Sequence, residues 1–142
     1  ENYADAEAAF TTATELDNQS SDAFSGLALV YNAQKKYDLA QEAGAKATDL
    51  SSVGGGGGSG QALYNQGVIL WNAGSFAEAK EQFEAAIKAD GTIADAFYQL
   101  GMANLNLGLI PAAVEAFEGY LGLAPDGPKA AEVQAAVNAL KQ

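Results

Sequence analysis

Four alanines recur along the chain at an almost constant spacing, and this repetition constrains the fold more than any other feature. Ala6 and Ala40 differ by 34 in position, as do Ala79 and Ala113. Ala40 and Ala79 differ by 39, and the excess falls within a glycine-rich run. A chain with this period is expected to build its core by stacking similar units, because one short unit cannot bury its own apolar face.

Phenylalanines and glycines follow the same period. Phe10, Phe83 and Phe117 each stand four positions after one of these alanines, which places both side chains on one helix face. Gly67 and Gly101 are again separated by one period. We expect these glycines to lie where two helices cross closely, since a larger residue would wedge the helices apart.

Apolar periodicity and helix breakers divide the chain into eight predicted helices. The first four are expected over residues 3–16, 21–34, 37–50 and 61–73, and the others end near residues 89, 108, 124 and 140. Pro111 suits the first turn of the seventh helix. The predicted N-terminal caps are Ser20 or Ser21 for the second helix, Ser75 paired with Glu78 for the fifth, and Thr92 paired with Asp95 for the sixth.

The run over residues 51–60 contains five consecutive glycines and cannot hold a helix. Three interpretations remain open. The composition favours a flexible Gly/Ser spacer introduced in place of a native loop, and a natural glycine-rich loop is the second possibility. A phosphate-binding loop is the third, but that motif requires Lys and then Ser or Thr after its last glycine, whereas Gln61 and Ala62 follow here.

A two-helix unit with a period of about 34 residues resembles the tetratricopeptide repeat. The motif is strongest in two places: Phe97, Leu100, Gly101, Ala113, Phe117 and Pro125, and earlier Gly67, Phe76, Ala79, Phe83 and Ala86. The resemblance covers nearly the whole chain. It implies an all-α, right-handed solenoid of antiparallel helix pairs with about eight helices, the last of which is a capping helix.

On this interpretation residues 1–142 form a single domain. We expect a partial first repeat over 3–20, a second over 21–54, the glycine-rich segment over 51–60, a third repeat over 60–93, a fourth over 94–127 and the capping helix over 128–142. The first repeat lacks its leading helix, and the chain starts with Glu1 rather than Met. We therefore expect a fragment or a processed chain.

Three residues depart from the repeat pattern. Gly44 stands where Phe83 and Phe117 stand in later repeats, so the second repeat is expected to be underpacked there. Tyr120 occupies an alanine position, and the last repeat must open to accommodate it. Asn104 stands at an apolar position, which predicts a buried amide that needs a partner.

The resemblance also implies a concave groove lined by the first helix of each pair, where an extended peptide or a partner helix binds. In the third and fourth repeats the predicted groove residues are Tyr64, Asn65, Val68, Trp71, Asn72, Tyr98, Gln99, Met102 and Asn106, with Gln61, Asp95 and Leu105 beside them. In the second repeat they are Asp22, Ser25, Leu29, Asn32 and Ala33.

These side chains suit peptide recognition, since aromatic rings give contact area at low entropy cost and amides pair with a peptide backbone. We expect the strongest contacts from Tyr64, Asn65, Asn72, Tyr98 and Asn106. The competing interpretation is that the aromatic residues only cover neighbouring helices. One subfamily grips the C-terminal carboxylate of chaperones with Lys, Arg and Asn; here Asn65 matches, but Ser25, Leu29, Asp95 and Gln99 occupy the other positions, which argues against that function.

Composition narrows the function further. Eighteen acidic residues face seven lysines, no arginine is present, and the formal net charge is -11. Nucleic acid and anionic membrane surfaces are therefore poor partners, and no apolar run is long enough to insert into a membrane. The chain has no Cys and no His, so we expect no catalytic residues, no metal site and no cofactor.

The predicted function is a non-catalytic protein-interaction module. The alternative is a self-associating scaffold element that oligomerises weakly through the first helix.

Overall fold

The protein is an all-helical array. The computed structural model describes residues 2–52 and 59–142, which form eight α-helices and contain no strand. The helices are α1 Tyr3–Leu16, α2 Ser21–Ala33, α3 Tyr37–Ser52, α4 Gly60–Asn72, α5 Phe76–Ala89, α6 Ala94–Asn106, α7 Ile110–Leu123 and α8 Ala130–Leu140. Within the described ranges, every helix is too short or too polar to span a lipid bilayer.

The helices pack as successive pairs in chain order. Helices α2 and α3, α4 and α5, and α6 and α7 form the three tightest pairs, and each pair also packs against the next. Helix α1 packs on α2 at one end, and α8 packs on α7 at the other. The predicted right-handed solenoid of antiparallel helix pairs with a terminal capping helix is confirmed.

Three tight turns close the three pairs. Gly74 and Gly108 follow α4 and α6 with φ values of 85° and 73°, in the left-handed region that glycine adopts without steric cost. Lys35 occupies the corresponding turn after α2 with φ 61°, and no other non-glycine residue in the described ranges has positive φ. The turn predicted at Lys35 and Lys36 is therefore present. Its left-handed position is occupied by a lysine, whereas the other two turns have glycine there.

The predicted caps are only partly correct. Ser20 caps α2 as expected, since its hydroxyl accepts a hydrogen bond from the Ala23 N–H at 3.2 Å. Ser75 precedes α5 but makes no side-chain cap bond, so the capping box with Glu78 is wrong. Thr92 is also wrong as a cap, because it closes a local turn instead and both its N–H and its hydroxyl bond to the Asp90 carboxylate.

Phenylalanine rings seated on glycines hold the later pairs together, as predicted. Phe83 is fully buried, and a Cβ placed on Gly67 would lie 2.5 Å from its Cε1. Phe117 has the same relation to Gly101, where an added Cβ would lie 2.5 Å from Cδ1. A glycine at each crossing therefore lets the ring of the second helix contact the backbone of the first.

The second repeat solves the same packing problem differently. Gly44 occupies the position at which later repeats have phenylalanine, and it is nevertheless buried. The Gln66 side chain from α4 fills the space of the missing ring, and its Oε1 contacts Gly44. The expected underpacking is therefore wrong. Filling this space with Gln66 buries a polar atom that is not hydrogen-bonded. The residue is 9% exposed, and its Oε1 has no hydrogen-bond partner.

Of the other two departures, Asn104 behaves as predicted, and the Tyr120 ring fits beside a glycine. Asn104 is 2% exposed and its Oδ1 has no partner, so the buried amide is real. Tyr120 is also 2% exposed, and its hydroxyl accepts a hydrogen bond from the Lys129 N–H at 3.2 Å. Gly127 gives the ring its space, since a Cβ there would lie 2.6 Å from the Tyr120 hydroxyl.

Helix α1 is the one element among the eight described helices that buries none of its residues. Its apolar stripe uses Phe10, whose ring packs against Gly26 of α2. Its polar side is fixed by Glu7, which accepts hydrogen bonds from Gln34 at 2.8 Å and Lys36 at 3.0 Å. These bonds lower the pKa of Glu7, with the Gln34 bond contributing most.

The three interpretations of the glycine run stay open. Residues 53–58 lie outside the described part of the chain. On either side, α3 continues to Ser52 and Ser59 caps α4, accepting a hydrogen bond from the Ala62 N–H at 3.1 Å.

Candidate functional site

One face of the array is concave. Helix α2 contacts α4, and α4 contacts α6, whereas the second helices α3, α5 and α7 make no comparable contacts with one another within the described ranges. Since the first helices approach each other and the second helices diverge, the array bends toward α2, α4 and α6. The predicted groove residues all belong to these three helices or their ends.

The aromatic and aliphatic groove residues of α4 are anchored on the core. Tyr64, Val68 and Trp71 are half-buried and pack against the cluster around Phe83. The Trp71 ring meets Phe76 edge-on with centroids 4.8 Å apart, and the Tyr64 ring lies 6.0 Å from Phe83. Each ring is therefore partly covered by neighbouring helices, and its role in a groove stays a prediction.

The amides of α4 tie neighbouring first helices together. Asn65 Nδ2 donates to Ser25 Oγ at 3.2 Å, and Asn72 Nδ2 donates to Asn32 Oδ1 at 3.1 Å. Gln61 adds a bond along the helix, donating to Asn65 Oδ1 at 3.0 Å. These pairs form a polar ladder between α2 and α4 on the concave face, and the sequence did not predict that the amides would pair with each other.

The predicted residues of α6 divide into two groups. Met102 and Leu105 pack against the C-terminal cluster around Phe117 and Tyr120, which α8 completes. Gln99 is half-buried, and its side chain acts on the Tyr64 hydroxyl by lowering its pKa, against the larger rise caused by burial. Asn106 is exposed, and its Nδ2 donates back to the Met102 carbonyl at 3.2 Å.

Tyr98 lies at the C-terminal corner of the face, and two residues that the sequence analysis did not select complete this corner. The Tyr98 hydroxyl donates to Glu132 Oε1 at 3.1 Å. Lys129 Nζ lies 2.6 Å from Asp95 Oδ1 and 4.7 Å from the centroid of the Tyr98 ring. A signal was available, because Lys129 stands one period after Asp95 and Glu132 stands one period after Tyr98. The start of α8 thus continues the repeat register.

The electrostatics of this corner follow from its contacts. Burial raises the pKa of the Tyr64 hydroxyl, and the Asp95 charge adds to the rise. Burial also raises the pKa of Tyr98, helped by its bond to Glu132. The hydrogen bond to Asp95 raises the pKa of Lys129. Both tyrosines therefore stay neutral and the lysine stays charged at neutral pH.

The residues left open to solvent define what this face can do. Asp22, Leu29, Asn72, Asp95 and Asn106 are exposed, between the half-buried aromatic rings. Such a surface offers hydrogen bonds and aromatic contact area but has no nucleophile beside a base. Within the described ranges, no group of carboxylates is arranged to hold a metal ion.

Sequence comparison supplies the family. Two family models described as the tetratricopeptide repeat match the chain, one over residues 19–91 and the other over residues 60–128. The chain belongs to the tetratricopeptide repeat family. A search of curated protein sequences finds no match.

Solved tetratricopeptide repeat structures share the fold. The crystal structure of MamA matches with a TM-score of 0.85 at 20% identity, over 98% of this chain and 77% of that one. Pseudomonas aeruginosa PilF matches with a TM-score of 0.83 at 27% identity, over 98% of this chain and 60% of that one. The first TPR of Spaghetti (RPAP3), bound to an HSP90 peptide, matches with a TM-score of 0.76 at 22% identity, over 89% of this chain and 97% of that one.

Proposed function

We propose that this tetratricopeptide repeat array is a non-catalytic interaction module whose concave face binds an extended peptide or a partner helix. The observation that carries the proposal is the placement of aromatic rings and amides together on α2, α4 and α6, where the array bends inward. The peptide complex of the Spaghetti repeats, which share this fold, supports the same role for the family.

The proposed contacts are divided by exposure. Asn72 and Asn106 are exposed and make only surface hydrogen bonds, so they can exchange those bonds for bonds to a peptide backbone. Tyr64, Trp71 and Tyr98 present half-buried rings on which apolar side chains of the peptide pack. Because the rings are already fixed by the core, little side-chain entropy is lost on binding.

Peptide selection tests this proposal. A displayed library of short random peptides is selected against the immobilised chain, and the strongest binder is synthesised. Its affinity is measured by fluorescence, since Trp71 is the single tryptophan of the chain and lies on α4. We expect NMR chemical-shift changes on α2, α4 and α6 and at the start of α8, which contacts Tyr98. We also expect roughly a tenfold or larger loss of affinity in Tyr64→Ala/Asn72→Ala, in line with interface hot spots.

Two controls separate binding from folding. Asn72→Ala/Asn106→Ala removes exposed amides that make no core contact, and it should also weaken binding with an unchanged melting curve. Lys80→Ala/Glu84→Ala removes a surface ion pair of 2.8 Å on α5 and should leave affinity intact. Binders that map to α3, α5 or α7, or full affinity in the groove variants, would refute the proposal.

Self-association through α1 is the second candidate. The helix buries none of its residues, and Leu16 at its end is 84% exposed. A mass that rises with concentration in light scattering, and returns to that of a monomer in Leu16→Ser, would support it. A mass that stays at that of a monomer at every concentration would refute self-association.

A further inference from the structure

The first helices of the three pairs carry acidic residues but no lysine. Helices α2, α4 and α6 carry Asp22 and Asp95 and no basic residue, although the chain has seven lysines. The second helices α3, α5 and α7 carry Lys46, Lys80 and Lys88 together with eight acidic residues, so both sides of the array are acidic. With a net charge of -11, the concave face lies in a negative field that attracts cations and repels acidic segments.

One lysine reaches this face, and it is neutralised there. Lys129 enters from the start of α8, bonds to Asp95 at 2.6 Å and lies over the Tyr98 ring at 4.7 Å. The same ring is oriented by the bond from its hydroxyl to Glu132. A carboxylate beside an aromatic face is the arrangement that recognises an ammonium or guanidinium group. Asp95 and the Tyr98 ring therefore form a cation subsite that is filled by the chain's own lysine, and Glu132 orients the ring.

The internal lysine is held weakly enough to be exchanged. The side chains of Lys129 and Asp95 are 34% and 53% exposed, so water screens their attraction. Exposed pairs and exposed cation–π contacts of this kind are individually weak. An arginine from a partner would fit the subsite better, because its planar group bonds to a carboxylate with two N–H groups while stacking on the ring.

We propose that the occupant of the concave face is an extended basic segment, one of whose Lys or Arg side chains replaces Lys129 between Asp95 and Tyr98. This inference rests on the proposed function and adds the chemical class of the partner. Charge complementarity carries it: Asp22, Asp95 and Glu132 are exposed on α2, α6 and α8, and Lys129, the cation beside Asp95, is already paired. An acidic segment would meet no cation on α2, α4 or α6.

Three synthetic peptides test the partner class. They share one short frame of alternating apolar residues, with Arg, Gln or Glu at the remaining positions, and binding to the full chain is measured by Trp71 fluorescence at physiological salt. We expect the Arg peptide to bind at least about tenfold more tightly than the Gln peptide, and the Glu peptide to bind least. NMR chemical-shift mapping should place the Arg peptide on α2, α4 and α6 and at the start of α8, around Lys129 and Glu132.

Matched charge variants separate the subsite from general attraction to an acidic protein. Lys129→Gln frees Asp95 and should tighten binding of the Arg peptide by about two- to fivefold, the scale of an exposed ion pair. Lys141→Gln makes the same change in net charge and also breaks a surface pair, with Glu118, but lies away from the groove. It should change the affinity by less than about 1.5-fold. Asp95→Asn should weaken binding, whereas Asp49→Asn on α3 should not.

The outcomes are distinct. Equal effects of Lys129→Gln and Lys141→Gln would overturn the cation subsite. Groove binding of the Gln or Glu peptide without preference for Arg would overturn the inference and leave the proposed function standing. If no selected or synthetic peptide maps to the groove, both fail.

Discussion

At the scale of single residues, one recurrent contact explains most of the core: a phenylalanine ring seated on a glycine of the preceding helix. Phe83 on Gly67 and Phe117 on Gly101 repeat the same geometry one period apart. The glycines lie inside helices, where they are unfavourable by roughly 0.5–1 kcal/mol relative to alanine. Their presence there follows from the ring, because a Cβ would occupy space that the ring already fills.

The most direct prediction at this scale concerns Phe83, which is fully buried. Phe83→Ala should lower the free energy of unfolding by about 3–5 kcal/mol, because neither Gly67 nor Tyr64 can fill the space it leaves. Urea unfolding followed by circular dichroism measures the change. Glu84→Ala, the next residue along and exposed, should shift it by less than about 0.5 kcal/mol. Equal midpoints for the two variants would contradict the packing described for α4 and α5.

Substitution of Gln66 is predicted to raise the free energy of unfolding, whereas Phe83→Ala should lower it. Its side chain fills the space beside Gly44, but its buried Oε1 has no hydrogen-bond partner. Gln66→Met keeps the length and shape of the side chain and removes the unpaired oxygen, so it should stabilise the protein by about 1–2 kcal/mol, within the range for a buried unsatisfied group. Gln61→Met, at an exposed position on the same helix, is the control. If Gln66→Met lowers the free energy of unfolding, the side-chain carbonyl of Gln66 must have a hydrogen-bond partner in the native protein.

Residue-scale features differ in how far sequence can predict them. The buried amide of Asn104 and the ring contact at Gly101 could be predicted because each follows from comparing positions one period apart. The filling of the space at Gly44 could not, because it depends on a side chain from another repeat reaching across the interface. The failed caps have a similar cause: Thr92 has a local alternative in Asp90, close by in the same turn, and short polar side chains often prefer such turns.

At the scale of elements, the pairs depend on the turns that reverse the chain between their two helices. Gly74 and Gly108 adopt positive φ at two of these turns, and Lys35 does so at the third. For a residue with a Cβ this conformation costs about 1–2 kcal/mol. The turn after α2 is therefore strained in comparison with the two that follow.

Lys35→Gly should relieve this strain. The gain is reduced by about 0.4–1 kcal/mol because glycine makes the unfolded chain more flexible, so we expect a net stabilisation of about 0.5–1 kcal/mol. Thermal unfolding of the variant should show a higher midpoint. The reciprocal variant Gly74→Lys should lower the midpoint by a similar amount, and identical behaviour of both variants would argue against a left-handed turn at residue 35.

Sequence predicted the elements better than it predicted the candidate site. Helix bounds followed from apolar periodicity and breakers, and most lie close to the expected ends. The concave corner did not follow, because α8 was interpreted only as a cap. Lys129 and Glu132 stand one period after Asp95 and Tyr98, and their side chains bond to these two residues of α6.

At the scale of the whole molecule, the array is linear, and stability should vary along it. Each pair packs against its neighbours, so the terminal helices α1 and α8 each have one main packing partner, whereas the central helices have several. Helix α4 buries seven residues, whereas α1 buries none. Local opening at α1 therefore exposes little apolar surface, while opening at α4 breaks contacts on both sides.

Amide hydrogen exchange measures this gradient. We expect α1 to exchange fastest among the eight described helices and α4 to be protected nearly to the global free energy of unfolding. Phe10→Ala, which removes the ring that joins α1 to Gly26, should accelerate exchange in α1 and leave α6 and α7 unchanged. Phe83→Ala should instead accelerate exchange on both sides of α5, because its contacts lie in the middle of the array. Uniform exchange rates in all helices, or an effect of Phe10→Ala that reaches α7, would show that the protein unfolds as one cooperative block rather than as coupled neighbours.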